Sequence, residues 1–143
     1  YIVAQEYLRE AEKGDTRLFL INGKPLTRNG KIAAFRRLSL SEDVRSNVHV
    51  GGKIARAQIT PEILELVEVV RPRLVSDGMF FVGLDIVGNK LLEINVFCPG
   101  GLGNAGRLEG VDFVPEIIRI LERKLKSSIY YRNNWYQLDP TML

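Results

Sequence analysis

The sequence predicts an α+β domain in which an antiparallel sheet carries helices packed on one face. Three observations lead there. Apolar residues alternate along short runs punctuated by Asn-Gly or Gly-Asn, around Asn22-Gly23, Asn29-Gly30 and Gly88-Asn89. Two other segments, Thr60–Gly78 and Asp112–Lys126, carry their apolar residues at helical spacing. The strands come in runs and do not alternate with helices, which argues against a βαβ repeat.

Composition narrows the class of protein. The chain has 143 residues, 45% hydrophobic and 26% charged, which is one globular domain's worth with a real core. No apolar run approaches the ~20 residues of a membrane span. One cysteine, Cys98, excludes an internal disulfide and fits a reducing, cytoplasmic setting; with a single histidine, His49, it makes a Cys/His zinc site implausible. The net charge of +3 comes from scattered Arg and Lys without a basic block, which argues against nucleic acid as a partner. The start at Tyr1, with no methionine and no signal pattern, leads us to expect a fragment of something longer.

Taken in order, Tyr1–Leu8 reads as a β-rich opening, and Gly14-Asp15 ends a charged stretch as a turn. Arg17–Ile21 is a strand, Asn22-Gly23 a type I′ turn, and Lys24–Leu26 the return, with Pro25 favouring an edge. Asn29-Gly30 turns the chain into another strand, Ile32–Leu38. Ser39–Lys53 lacks periodicity and reads as a long loop of the kind often used as a lid or binding loop. Thr60 caps a helix with Pro61 at its first position; Ile63, Leu64, Val67, Val70 and Leu74 face the core, and Pro72 is expected to kink the helix or end it early. Pro99–Gly106 is glycine-rich and reads as a loop. Asp112 caps a second amphipathic helix closed by Arg123, Lys124 and Lys126. The organisation expected is one folded unit over 1–126 and an aromatic tail over 127–143, for which docking on the core, a subunit contact in a homo-oligomer and fraying all stay open.

The stretch Met79–Gly103 holds the chemistry. On a two-residue turn Asp85 would face Leu92 and each sheet face would mix acids with aliphatics. A three-residue loop, Gly88–Lys90, puts Asp85 opposite Glu93 with Asn95 on the same face, and the aliphatics on the other. Two carboxylates so placed repel unless a cation lies between them. Hard oxygen donors of this type suit Mg2+ completed by water and nucleotide phosphates, with Mn2+ as the alternative ion. The competing reading is a solvated face with an Arg counterion.

With Arg17, Arg37, the run Arg45-Ser46-Asn47-Val48-His49-Val50-Gly51-Gly52 and the Asp85, Glu93, Asn95 set, the chain resembles the C-terminal part of ATP-grasp carboxylate–amine ligases. The likeness is greatest to bacterial glutathione synthetases, with ribosomal-protein glutamate ligases as near relatives, and it covers roughly 1–126. It implies an ATP- and Mg2+-dependent ligase that activates a carboxylate as an acyl phosphate and joins it to an amine. It further implies that Gln5, Glu6, Tyr7 and Leu8 hold adenine, that Asp15 contacts the ribose and nucleotide, and that Arg17 and Arg37 face the phosphates. Arg45, Asn47, Gly51 and Gly52 match the substrate and phosphoryl loop, with Arg37 and Arg45 the catalytic pair. Asp85, Glu93 and Asn95 match the metal ligands.

Two departures bear on substrate and activity. Phe97-Cys98-Pro99-Gly100-Gly101 stands where typical glutathione synthetases are rich in Ser and Thr, near the acceptor. The first ATP-grasp subdomain, with its phosphate-binding lysines and lid, has no counterpart in this stretch, so the chain by itself is expected to be inactive. Cys98 is expected to be a buried thiol.

Overall fold

The computed structural model describes residue 2 and residues 6–38 and 53–133. After a short 3-10 turn at Arg9–Lys13 come the strands β1 (Asp15–Ile21), β2 (Lys24–Pro25), β3 (Thr27–Arg28), β4 (Lys31–Ile32), β5 (Ala34–Leu38) and β6 (Lys53–Ala55). Helix α1 (Pro61–Ser76), the hairpin strands β7 (Phe81–Val87) and β8 (Lys90–Asn95), and helices α2 (Leu102–Glu109) and α3 (Val114–Asn133) follow. The main sheet has the order β6-β5-β1-β7-β8, with β2 added to β1, and every pairing is antiparallel. The class is α+β, as expected.

Local chemistry sets the early strands. Asn22 and Gly23 both have positive φ, 50° and 74°, the geometry of a type I′ turn, and Asn29 and Gly30 repeat it at 51° and 72°. Residues 6–8 lie outside any strand, so among the described residues the β-rich opening is not formed.

Strand alternation gives the sheet two different faces. Leu18, Leu20, Ala34, Val82, Leu84 and Ile86 pack against Ile63, Val67 and Leu74, the apolar stripe of α1. Each of these side chains other than Ala34 contributes about 1.5–3 kcal/mol by leaving water. On the other face Phe19 lies between Phe35 and Phe81, with ring centroids 6.2 and 5.9 Å away. Asp15 and Arg17 precede Phe19 at strand spacing and so share its face.

Three expectations need correction. The β7–β8 turn is the two-residue Gly88-Asn89, since Val87 pairs with Lys90. A bulge between Asp85 and Ile86 then shifts the register, so Ile86 faces Leu91, Leu92 is the extra residue, and Asp85 still faces Glu93. The bulge does what the longer loop was invoked to do. Pro72 does not end α1, which continues to Ser76. Its missing N–H costs one helical hydrogen bond, and the packed stripe on both sides of it holds the helix together.

The third correction is α2, formed by part of the glycine-rich segment read as a loop. Gly101 caps it in the left-handed region at φ 95°, and a Cβ there would sit 2.6 Å from the Phe35 ring. Ala105 is fully buried, and a Cβ on Gly106 would meet the Val111 carbonyl at 2.9 Å. The glycines serve close packing, which local propensity does not register.

The chain divides into two compact units, Tyr1–Phe113 and Val114–Leu143. In the second unit α3 extends past Lys126 to Asn133, so the first residues of the expected tail are helical. Among the described residues no helix is long and apolar enough to cross a membrane.

Candidate functional site

Five charged residues stand in neighbouring positions across the sheet, each placed by strand register. Asp15 on β1 stands opposite Arg37 on β5, and Arg17 on β1 opposite Asp85 on β7. Glu93 on β8 stands opposite Asp85 in turn. The order across the sheet is base, acid and base, acid, acid.

The contacts are close and the carboxylates deeply buried. Arg17 donates from Nε to Asp85 Oδ1 at 2.7 Å and from Nη2 to Oδ2 at 2.6 Å, a bidentate fork. Arg37 Nη2 also reaches Asp85 Oδ2, at 2.7 Å, and Asn95 Nδ2 donates to the same oxygen at 3.3 Å. Arg37 donates from Nε to both Asp15 oxygens, at 2.9 and 3.1 Å, and its Nη2 also binds Oδ2. Asp85 is 1% exposed and Asp15 3% exposed.

Burial pushes the Asp85 carboxyl up, but the Arg17 hydrogen bonds and the charges of Arg37 and Arg17 outweigh it and hold it below the usual carboxylate range. Burial likewise works against the Arg37 charge, and its hydrogen bond to Asp15 together with the charges of Asp15 and Asp85 raises its pKa. Two guanidiniums therefore balance two carboxylates. Among the described residues no hydrogen bond or ion pair reaches the exposed side chain of Glu93.

Arg17 and Arg37 supply Asp85 with the Arg counterion that the competing reading expected, and the oxygen donors of Asp85, Glu93 and Asn95 are of the chemical kind that a hard divalent cation takes. Asp85 and Glu93 face each other, the Asn95 amide touches Asp85, and Asp85 Oδ1 accepts one described hydrogen bond, leaving it room for another partner. Two carboxylates and an amide are few ligands, and among the described residues no group of three or more His, Cys, Asp or Glu could hold a metal. Mg2+ binds through one or two carboxylates when water and phosphates complete its shell.

Other expected residues lie further out. Glu6, Leu8, Lys90, Leu91 and Leu92 line a cleft of about 200 Å3 beside the hairpin, and Lys90 Nζ is 3.3 Å from Glu6. The Tyr7 hydroxyl donates to Glu12 at 2.8 Å. Gln5, Arg45, Asn47, Gly51 and Gly52 fall outside the described residues, as does His49. Cys98 is exposed, contrary to expectation, because β8 ends at Asn95 and the chain leaves the sheet before reaching it.

Sequence reasoning missed how the segment after β8 is tied to this network. Arg17 Nη1 donates to the Gly100 carbonyl at 3.1 Å, and Pro99 lies over Gly83, where a Cβ would come within 2.9 Å of it. The signal was a lone glycine, Gly83, in a strand of aliphatics.

An antiparallel sheet with a helix-packed face and a face of paired acids and arginines is consistent with a subdomain of the ATP-grasp class. The chain belongs to the family described as prokaryotic glutathione synthetase, ATP-grasp domain, whose model matches residues 1–110. Its relatives include glutathione synthetase of Nostoc sp., 37% identical over 125 residues, which are 87% of this chain and 37% of the relative. That of Synechococcus elongatus is 40% identical over 121 residues, 85% of this chain and 36% of the relative. That of Agrobacterium fabrum is 34% identical over 122 residues, again 85% and 36%. The chain thus spans a little over a third of the length of the curated relatives it matches.

Proposed function

We propose that the chain is the C-terminal ATP-grasp part, residues 1–126 with a tail over 127–143, of a cytoplasmic ligase of the glutathione synthetase type. It would join the carboxylate of γ-glutamylcysteine to the amine of glycine at the expense of ATP. The observation that carries this reading is the buried Asp85, gripped by Arg17 and Arg37 and facing Glu93 across the hairpin.

The chemistry runs in two steps. A carboxylate oxygen attacks the γ-phosphorus of ATP in line, the bond to the β-phosphate oxygen breaks, and ADP leaves an acyl phosphate. The amine then attacks the acyl carbon, phosphate departs with the bonding pair, the nitrogen loses a proton and the amide forms. Both steps gather negative charge at the transferred phosphoryl group.

Each residue takes a part in handling that charge. Arg37 and Arg45 are the catalytic cations that neutralise the phosphoryl oxygens, and Arg17 faces the nucleotide phosphates. Asp85, Glu93 and Asn95 would hold Mg2+, or Mn2+, which would supply positive charge to the phosphate oxygens. Gln5, Glu6, Tyr7 and Leu8 hold adenine, a role that suits the partly apolar cleft between Leu8 and Leu91-Leu92. Asn47, Gly51 and Gly52 belong to the substrate and phosphoryl loop.

A second reading changes the acceptor. Phe97 is fully exposed two residues past Asn95, and the segment after it, which stands where typical glutathione synthetases are rich in Ser and Thr, is anchored through Gly100 to Arg17. That favours testing a ligase that adds an amino acid to a peptide or protein tail. ADP release by the full-length protein, measured with γ-glutamylcysteine and glycine and then with a panel of amino acid and peptide acceptors, decides between them. Release that depends on both a carboxylate and an amine supports the class, and release independent of every amine tested contradicts it.

A further inference from the structure

We infer that the site takes, besides glycine, an amino acid with an apolar side chain as its amine, and that Phe97 is the specificity-determining residue that receives that side chain. This rests on the ligase reading above.

The loop that carries Phe97 is tied to the Asp85 carboxylate at both ends. At the near end Asn95 donates from Nδ2 to Asp85 Oδ2 at 3.3 Å. At the far end the Gly100 carbonyl accepts from Arg17 Nη1 at 3.1 Å, while Nε and Nη2 of the same guanidinium hold Asp85. Between them Pro99 is buried over Gly83, the residue opposite Asn95 on β7, where a Cβ would come within 2.9 Å of it. A short loop fixed at three points has lost most of its backbone freedom before any ligand arrives, which is preorganisation.

The crest of that loop is apolar and open. Phe97 is fully exposed, whereas Phe19, Phe35 and Phe113 of the same unit are buried. Two residues of chain span at most about 7 Å, which bounds its distance from Asn95. A ring held there in water gains by covering an apolar group and offers nothing to a carboxylate or to an amine without a side chain.

The chemistry brings the acceptor's side chain to that end of the site. The amine nitrogen bonds to the acyl carbon, the bond from that carbon to the phosphate oxygen breaks with its electron pair leaving on the phosphate, and the nitrogen releases a proton to water. At the moment of attack the acyl carbon alone separates the nitrogen from the oxygen that carries the phosphoryl group. The acceptor's side chain begins two atoms beyond the nitrogen. Glycine leaves the Phe97 ring uncovered, and leucine or phenylalanine covers it.

ADP release by the full-length enzyme, with γ-glutamylcysteine and one amine at a time and the amide identified by mass spectrometry, tests this. Glycine, leucine and phenylalanine are expected to be used, and serine and aspartate at least about tenfold less well than leucine in kcat/KM, the scale of a small difference in an apolar contact. Phe97→Thr is expected to lower the ratio of kcat/KM for leucine to that for glycine at least about tenfold, mostly through KM for leucine. Phe97→Leu, which keeps the apolar contact, leaves the ratio within about threefold of the wild type. A structural defect would lower turnover with both amines and leave their ratio alone. Turnover with glycine and none with leucine or phenylalanine overturns the inference, as does serine used as well as leucine or a leucine-to-glycine ratio unmoved by Phe97→Thr. ADP release that depends on no amine at all sinks the ligase reading and this inference with it, a result distinct from turnover with glycine alone.

Discussion

Asp85 on β7 and Arg17 on β1 face each other across the sheet and are joined by two hydrogen bonds of 2.7 and 2.6 Å from one guanidinium to one carboxylate. Strand register puts them there. Asp85 is buried and Arg17 half-buried, so the carboxylate charge is held by Arg17 and Arg37 instead of by water.

Removing one partner therefore leaves buried charge uncompensated. Asp85→Ala is expected to destabilise the fold by about 3–5 kcal/mol, whereas Glu93→Ala, on an exposed side chain without a partner among the described residues, changes stability by no more than about 0.5 kcal/mol. Urea denaturation of the two variants checks the contrast.

The depressed Asp85 carboxyl also gives a pH dependence. Its folded pKa lies below its unfolded value, so its contribution is fully present above the ordinary carboxylate range and is lost as pH falls through the folded value. Unfolding midpoints measured from neutral pH into the acid range should fall for the wild type and fall less steeply for Asp85→Asn.

Two glycines of the same segment should respond with opposite sign. Gly101→Ala forces a Cβ against the Phe35 ring at positive φ and is expected to cost about 1–3 kcal/mol. At Gly103, inside α2, a Cβ meets nothing within 4 Å, so Gly103→Ala is expected to stabilise by about 0.5–1 kcal/mol. Thermal melts of the two variants test the pair.

Much of this was legible in the residues, and the reasons for the rest are physical. The Asn-Gly pairs gave their turns because positive φ at both positions is a local demand. The facing of Asp85 and Glu93 followed from keeping acids off the aliphatic face, yet the device was misread: a longer loop and a bulge at Leu92 give the same pairing, and alternation cannot separate them. Helix α2 was hidden because its glycines answer to Phe35 and Val111, contacts made only in the folded chain. The Asp15–Arg37 pair joins residues 22 apart in sequence, and only strand register reveals it.

The residues 1–143 alone are expected to release no ADP in a carboxylate- and amine-dependent manner, because the phosphate-gripping lysines of an ATP-grasp site have no counterpart in this stretch. The assay used for the full-length protein, run on this chain, checks it.

The central claim is that Asp85 and Glu93 form the metal end of a phosphoryl-transfer site. Titrating Mg2+ into the full-length Glu93→Gln variant while following ADP release tests it most directly. Glu93→Gln is expected to raise the apparent Mg2+ requirement at least about tenfold with the melting temperature unchanged. Ligation with an unaltered Mg2+ requirement would contradict it.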